Sequence, residues 1–349
     1  SGRERGGRDM RHARVKVEGA GCYHVVSRIV DRAFRMDDGE KEIFRGIMRR
    51  AEAFCGVRIL TYAVMSNHFH LLVEVPEPGA VDEGELVRRV GILYGRVYAA
   101  NLVKQWAEWR KTGAAYLVEE QQDRLRARMY DLSAFVKTLK QRYSMSYNSR
   151  HGRKGTLWED RFKSVLVENG EQARATVAAY IDLNPVRAKL VEDPKDYRWS
   201  GYGEACGGGR LAREGLVAVH DSRWLERPGG WRQAAERYRV LLYTAGEEKR
   251  EALGERVVRP GLAAAEVDRV IETGGKLTLP QALRCRVRYF TDGMAIGGKV
   301  FVDGVFERNR RFFSPKRKDG ARRMRFADWG ELRVARALRV APVQAPLTT

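Results

Sequence analysis

Cysteine is scarce in this 349-residue chain, which holds only Cys22, Cys55, Cys206 and Cys285. The four are far apart and form no C-x-x-C pair, so the sequence excludes both a zinc knot built on such pairs and a disulfide framework. We therefore expect each thiol to act as a small buried hydrophobic group. This cysteine usage fits a reducing cytoplasm.

Long apolar runs are also missing. No stretch approaches the roughly 18 apolar residues that a membrane-spanning helix needs, which excludes an integral membrane protein. Residues 1–14 are basic and no apolar segment follows them, so we expect no signal peptide. Hydrophobic residues nevertheless make up 44% of the chain. That share is enough for a packed core and excludes a wholly disordered basic protein.

Acidic residues are few relative to basic ones: 45 Asp and Glu face 65 Lys and Arg, for a net charge of +20. Most of the excess lies in residues 1–16, with six basic and two acidic residues, 137–163, with eight and two, and 310–340, with eleven and three. Such clustering is typical of proteins that bind a polyanion, most simply nucleic acid. The alternative is a solvated surface that keeps the protein soluble. A membrane-surface role is disfavoured because the basic stretches lack an opposing apolar face.

The segment from residue 20 to residue 200 alternates between strand and helix patterns. Runs of β-branched and aromatic residues predict strands, and apolar residues at i, i+3 and i+4 predict helices. The predicted order is strand, helix, strand, strand, helix, strand, helix. The predicted strands are 21–30, 57–65, 68–75 and 164–167. The predicted helices are one after the turn at 37–40, the mostly helical segment 85–147, and 171–183. This order predicts an α+β fold with a ferredoxin-like antiparallel sheet and packed helices.

Composition divides the chain into three parts. Residues 1–17 are predicted to be a basic flexible arm, and 18–205 a first domain with a helical insertion at about 86–148. A glycine cluster at 203–215 marks a boundary, after which 216–349 is predicted to be a mainly helical, basic extension that binds DNA. Within that extension, 279–312 has the outline of helix, glycine turn and helix, which suits either a helix-turn-helix or an ordinary helical hairpin.

Histidine is rare as well, with six in the chain, and two of them share the string His68-Phe69-His70. On a strand, residues i and i+2 point to one face, so both imidazoles project together while Phe69 points into the core. Two imidazoles on one face can make a two-point site for a divalent metal. The alternative is a pair of surface histidines on an edge strand.

A third ligand and a nucleophile are available on the predicted helix 171–183 and just after it. Tyr180 and Asn184 are four residues apart, so they can share a helical face. An amide oxygen is a suitable ligand for magnesium or manganese, and a phenol one turn away could attack a phosphate bound to that metal. Tyr143 and Tyr147, in a basic helix, are weaker alternatives because neither has an amide or acid four residues on.

Three segments carry a resemblance to a known family. Met65–Val75 resembles the HUH signature (His, bulky hydrophobe, His) of single-tyrosine transposases, and Tyr180–Ala188 resembles their Y-I-x-L-N-P-V-R-A segment. Gly155–Lys163 is similar to the stretch that links the two, and all three occur in the family's order. The group most resembled is the REP-associated tyrosine transposases, relatives of the IS200-type enzymes, over about residues 20–202.

The resemblance implies an activity and a set of roles. His68, His70 and Asn184 would bind a divalent cation, Mg²⁺ or Mn²⁺. Tyr180 would attack a phosphodiester of single-stranded DNA, giving a 5′-phosphotyrosine and a free 3′-hydroxyl, so that hairpin-forming, REP-like repeats are cut and rejoined. The alternative is a domesticated, non-catalytic protein that binds hairpin DNA or RNA.

Partners follow from the same reasoning. We expect single-stranded and hairpin DNA as partners, no membrane partner, a monomer rather than a dimer, and a bacterial cytoplasmic, nucleoid-associated location. Aromatic residues interleaved with the basic residues beyond 310 suggest stacking on DNA: Phe312, Phe313, Phe326 and Trp329. The predicted DNA-contacting residues are Arg28, Arg153, Lys154, Arg161, Lys163, Arg187, Lys316, Arg317, Lys318, Arg322, Arg323 and Arg325.

Overall fold

The structure is a computed structural model that describes residues 15, 17, 19–243, 277–335 and 343–344. The predicted basic arm, 1–17, therefore lies almost entirely outside the described residues. The strands are β1 Gly21–Arg28, β2 Arg58–Val64, β3 His68–Val75, β4 Lys163–Val167, β5 Arg286–Val287, β6 Ala295–Gly297, β7 Arg322–Arg323, β8 Arg333–Val334 and β9 Val343–Gln344.

The helices include the long ones that the periodicity predicted. Within the described ranges, none combines the length and apolar character needed to cross a membrane. They are α1 Asp38–Cys55, α2 Glu83–Tyr94, α3 Arg96–Lys111, α4 Ala115–Arg126, α5 Leu132–Arg150, α6 Glu171–Asp182, α7 Asn184–Arg187, α8 Gly201–Cys206, α9 Arg210–His220, α10 Gly230–Leu242, α11 Leu279–Leu283, α12 Tyr289–Asp292 and α13 Lys299–Arg308.

The main sheet has seven strands in the order β2-β3-β1-β4-β6-β8-β7. Its first four strands are antiparallel, with β1 in the middle between β3 and β4. Because α1 joins β1 to β2 and the helical segment α2–α5 joins β3 to β4, the chain has the ferredoxin-like order of strands and helices. The α+β fold class is therefore confirmed.

Local sequence explains where the first helix begins and ends. The Asp37 side chain accepts a hydrogen bond from the Glu40 backbone N–H at 2.8 Å and caps the start of α1. Gly56, with a φ of 67°, ends the helix in the left-handed region, which costs a glycine little. The next strand, β2, starts two residues later.

One face of the sheet packs against α1 and α5. Phe69 projects from β3 into this layer, with its ring centroid 5.0 Å from that of Phe44 on α1, and Phe44 in turn lies 5.1 Å from Tyr143 on α5. The sequence prediction for Phe69 is therefore confirmed. The alternation of β3 places His68 and His70 on the opposite face.

The opposite face is covered by α6 and α9, and α10 packs on these two helices. Asp182, at the end of α6, is fully buried, and its carboxylate accepts hydrogen bonds from Thr61 Oγ1 at 2.8 Å, Tyr202 N at 2.9 Å and Tyr238 OH at 2.6 Å. Burial raises the pKa of Asp182 to about 7. This carboxylate joins β2, α6, α8 and α10 in one polar cluster.

The glycine-rich stretch 203–215, predicted as a boundary, does not form a linker. It is occupied by α8 and α9, and α9 lies directly on β2. A Cβ added at Gly215 would be 2.5 Å from the carbonyl oxygen of Ile59 and 2.6 Å from that of Leu60. Glycine permits this close approach of helix to strand, so the inner face of α9 packs on the sheet.

The described part of the C-terminal extension is mainly helical as predicted, but it also extends the sheet. Ala295 and Ile296 of β6 pair in parallel with Leu166 and Val167 of β4, and β8 and β7 follow. The helix-turn-helix outline is therefore wrong for the described residues, because β6 lies where the second helix was predicted to begin. Its three residues are buried, and pairing with β4 overrides their local helical pattern.

Candidate active site

Three histidines meet on the face of the sheet that α6 covers. On β3, His68 and His70 share this face, and Val26 of β1 lies directly opposite His70. His24, two residues before Val26, therefore projects from the same face of β1. The ring centroids of His24 and His68 each lie 5.1 Å from that of His70. The predicted histidine pair is thus part of a group of three.

The two nitrogens of His24 have different partners. Its Nδ1 lies 2.7 Å from the main-chain oxygen of Phe290, on α12 of the extension. Its Nε2 lies 2.8 Å from Nδ1 of His70. Burial, and then the positive charge of Arg187, lower the pKa of His24 to about 4. Burial also holds the pKa of His70 well below its ordinary value, so both rings are neutral near pH 7.

His68 has its own orienting partner. Its Nδ1 lies 2.6 Å from Oδ1 of Asn67, and the Asn67 amide nitrogen donates to the Arg32 carbonyl at 3.0 Å. A carbonyl only accepts, so the amide must turn its nitrogen to Arg32 and its oxygen to His68. The His68 Nδ1 therefore donates, which leaves Nε2 with a free lone pair. Burial, and then the charge of Arg28, lower the pKa of His68 to about 3.

Tyr180 on α6 lies against the histidines. Its ring centroid is 6.2 Å from that of His24 and 6.4 Å from that of His70. The side chain is only 2% exposed, because Phe290 packs on it at 4.6 Å and the Arg187 guanidinium lies 4.0 Å from its ring centroid. The structure thus brings together the tyrosine and both histidines that the sequence predicted.

Asn184 follows the kink between α6 and α7. Its amide nitrogen donates to the carbonyl of Ile181 at 3.2 Å, so the amide oxygen is the atom left to coordinate a cation. Across the part of the chain that the structure describes, no group of three or more His, Cys, Asp or Glu side chains is placed to hold a metal. The sequence predicted His68, His70 and Asn184 as ligands, and two imidazoles with one amide oxygen are a donor set that would suit Mn²⁺ and, less closely, Mg²⁺.

The alternative tyrosines lie on the other side of the sheet. Tyr143 is fully buried, and its hydroxyl donates to Glu40 Oε2 at 3.0 Å. Burial and the Glu40 charge raise the pKa of Tyr143, which makes it a poor nucleophile. The Tyr147 ring stacks on His151 at 4.1 Å, and His151 Nε2 lies 2.7 Å from Glu40 Oε1.

Arginines surround the histidines. Arg28 lies directly opposite His68 on the paired strand β1. Burial, and then repulsion by Arg286 of β5 and by Arg32, lower the pKa of Arg28. Arg187 donates to the carbonyls of Tyr180 at 2.6 Å and of Leu283 at 2.7 Å. A cluster of cations around neutral imidazoles is an environment for an anion such as a phosphate.

Other predicted DNA-contacting residues have partners within the protein. Arg153 donates to Asn148 at 3.3 Å, and Lys163 pairs with Asp292 at 3.4 Å. Arg317 donates to the Gly320 carbonyl at 3.0 Å and lies over the Phe313 ring. The remaining ones are exposed: Lys154, Arg161, Lys316, Lys318, Arg322, Arg323 and Arg325.

Two of the three aromatic residues beyond 310 whose side chains the structure describes pack against other rings of the extension. Trp329 is buried and its ring packs on Phe290 at 5.7 Å. Phe313 packs on Phe306 at 4.7 Å, and Phe326 is half-buried. The interpretation of these rings as DNA-stacking groups is therefore wrong for Trp329 and Phe313, because hydrophobic packing inside the extension occupies them. The Phe312 side chain lies outside what the structure describes.

Three residues of this site were not identified from the sequence: His24, Arg286 and Phe290. His24 lies in a correctly predicted strand, and its position beside His70 follows once β1 and β3 are paired in register. Arg286 and Phe290 are more than a hundred residues from Tyr180 along the chain. No local pattern marks them, because only the folded extension brings them to the site.

Comparison with known proteins finds a family-model match over part of the chain. Residues 20–108 match the family model for IS200-like transposases, a range that includes all three histidines and ends before Tyr180. A solved structure of a REP-associated tyrosine transposase bound to a REP hairpin is similar at a TM-score of 0.37 and 15% identity, covering 71% of this chain and 99% of that one. No curated protein matches the chain.

Proposed function

We propose, on the premise that residues 20–108 are an IS200-like transposase domain, that the chain cuts and rejoins single-stranded DNA through a covalent tyrosine intermediate. The observation that carries the proposal is the approach of Tyr180 to His70, with ring centroids 6.4 Å apart. A nucleophile beside two neutral imidazoles and a cluster of arginines is an arrangement suited to phosphoryl transfer.

Tyr180 would act as the nucleophile. Its phenolic oxygen forms a bond to phosphorus while the bond from phosphorus to the 3′-oxygen breaks. The phenol loses its proton, and the departing oxygen takes one up to become a 3′-hydroxyl. The product is a 5′-phosphotyrosine. Because one phosphodiester replaces another, the reverse reaction can rejoin the strand without ATP.

Neighbouring groups would prepare the phosphate for this reaction. His68 and His70, with Asn184 as third ligand, would hold Mg²⁺ or Mn²⁺, which neutralises charge on the phosphate oxygens and orients the phosphate. Arg28 and Arg286 would bind the same phosphate from the β1 and β5 side. Arg187, bonded to the Tyr180 carbonyl, would fix the ring of the nucleophile.

The substrate proposed is a hairpin-forming, REP-like repeat. The exposed basic residues Lys316, Lys318, Arg322 and Arg323 follow α13 in the chain, and the last two form β7, an edge strand of the sheet. An edge that carries two exposed arginines suits contact with the phosphates of a hairpin stem. We further propose a monomer that works in the bacterial cytoplasm, in contact with the nucleoid.

A second candidate is a hairpin DNA- or RNA-binding protein that does not cut. The observation that favours it is the 2% exposure of Tyr180. A phosphate can reach this hydroxyl only if the covering side chains move. Binding without a covalent product would identify this second function.

The test is a search for a covalent adduct. Labelled single-stranded hairpin DNA is incubated with the protein and Mn²⁺ or Mg²⁺, and denaturing gels report protein-linked label. We expect an adduct with the wild type and none with Tyr180→Phe, while hairpin affinity is largely retained because a single hydroxyl is lost. Tyr143→Phe is the matched control and should still form the adduct. An adduct that persists in Tyr180→Phe would assign the nucleophile elsewhere.

A further inference from the structure

His24 connects a candidate metal ligand to the C-terminal extension. It is fully buried and lies on β1, inside the domain that matches the family. His24 Nδ1 is hydrogen-bonded to the carbonyl oxygen of Phe290, at 2.7 Å, and His24 Nε2 is hydrogen-bonded to His70 Nδ1, at 2.8 Å. This line of atoms ends at Nε2 of His70, which has no hydrogen-bond partner among the residues that the structure describes.

The Phe290 carbonyl determines the direction of both hydrogen bonds. A main-chain carbonyl only accepts, so His24 Nδ1 carries a hydrogen and donates it. In a neutral ring the other nitrogen has a lone pair, so His24 Nε2 accepts from His70. The His70 Nδ1 then carries the hydrogen of that ring, and its Nε2 is left with a lone pair directed away from His24.

We propose that His24 is a positioning residue that holds His70 in the tautomer whose Nε2 can bind a cation, and that the Phe290 carbonyl fixes His24 in turn. The role of His70 as a ligand rests on the proposed function, whereas the hydrogen-bond chain is a property of the protein without metal. A ligand histidine that donates its second nitrogen to a fixed acceptor is held in one orientation. Here the acceptor is a second imidazole.

The position of the first acceptor depends on the extension. Phe290 belongs to α12, its ring packs on Tyr180, and its other side contacts Trp329. The same residue therefore positions the nucleophile through its ring and His70 through its carbonyl. The extension is part of the site, although it lies outside the range that matches the family.

The test measures the ring nitrogens directly. Protein labelled with ¹⁵N-histidine is studied without metal, since ¹⁵N shifts distinguish a protonated ring nitrogen from a bare one. Mn²⁺ affinity is then measured by EPR of the free ion. The variants are His24→Leu, which removes both hydrogen bonds, and His24→Gln, which can donate to Phe290 and accept from His70. His220→Leu is the control, because it removes a buried histidine that is bonded to Glu171 instead.

We expect wild-type His70 to be protonated at Nδ1 and bare at Nε2. In His24→Leu the hydrogen should move to Nε2, because Nδ1 loses its acceptor, and Mn²⁺ affinity should fall about 10- to 100-fold. His24→Gln should restore both properties, and His220→Leu should change neither.

A wild-type His70 protonated at Nε2 would overturn the proposal. Because this result comes from the ¹⁵N spectrum of the wild type alone, it tests the proposal even if His24→Leu folds poorly. Unchanged His70 shifts and Mn²⁺ affinity in His24→Leu would overturn it as well. The wild type could also show the expected ring shifts without metal and yet fail to bind Mn²⁺. That result would contradict the metal site of the proposed function and leave the hydrogen-bond chain established.

Discussion

At the residue scale, Arg286 is the cation that the extension brings to the histidines. It repels Arg28, and Arg28 is the cross-strand neighbour of His68. Glu159 and Asp292 offset part of this repulsion, and a bound anion would offset more of it. A phosphate of the bound strand is the anion that the proposed function supplies.

Arg286→Gln is therefore expected to weaken binding of single-stranded DNA by about 10- to 100-fold, the range for a lost hydrogen bond to a charged group. The slope of log affinity against log salt should also fall by about 0.7 for one lost phosphate contact. Fluorescence anisotropy across a salt series measures both. Arg223→Gln is the matched control, because Arg223 is exposed and pairs with Asp221 away from the site. Equal affinities for the two variants would argue against a phosphate contact at Arg286.

At the scale of elements, the contact of α9 with β2 depends on one glycine. The carbonyls of Ile59 and Leu60 would lie within 2.6 Å of any Cβ at position 215, and backbone cannot yield as a flexible side chain does. Because position 215 has no side chain, α9 can pack directly on β2. This need for glycine also explains why glycine content alone suggested a boundary there.

Gly215→Ala should lower the free energy of unfolding by about 1–3 kcal/mol, the usual cost of overpacking, even though alanine favours helix by up to about 1 kcal/mol. The control is Gly304→Ala on α13, where a Cβ meets only the end of the Arg308 side chain at 3.5 Å. That variant should gain about 0.5–1 kcal/mol. Urea denaturation followed by circular dichroism compares the two. A stabilised Gly215→Ala would show that α9 does not press on β2.

Elements with a strong local pattern were predicted well. β3 was predicted at 68–75 and is observed at His68–Val75, and β4 and α6 agree to within a residue. The short strands of the extension could not be predicted, because β6 has three residues and β7 and β8 have two each. Strands of that length carry no periodicity, and they form because distant partners complete their hydrogen bonds.

At the scale of the whole molecule, the described part of the extension shares a sheet with the first domain. The predicted catalytic and metal-binding residues, His68, His70, Tyr180 and Asn184, all precede residue 215. Truncation there would nevertheless remove Phe290, which contacts Tyr180 and His24, and Leu283, whose carbonyl accepts a hydrogen bond from Arg187. The DNA-binding role of the extension is therefore better tested by point substitutions than by truncation.

The double variant Arg322→Ser/Arg323→Ser should weaken hairpin binding and reduce the salt slope by up to about 1.8, or about 0.9 per duplex phosphate contact. Both side chains are exposed on the edge strand β7, so folding should be unaffected. Arg88→Ser/Arg124→Ser removes the same charge from the helical insertion and serves as control. At saturating DNA, the two double variants should form equal amounts of adduct. If the two slopes match that of the wild type, the sheet edge does not contact the stem.

The parallel pairing of β4 with β6 has a consequence for synthesis on the ribosome. The outer edge of β4 finds its partner only after about 130 further residues have been made, which takes roughly 6 to 26 s at about 5–20 residues per second. During that interval the outer edge of β4 exposes unpaired backbone N–H and C=O groups, with which strands of other chains can pair. Slow translation or crowded polysomes should therefore favour aggregation of this protein, and chaperones that cover strand edges should raise its yield.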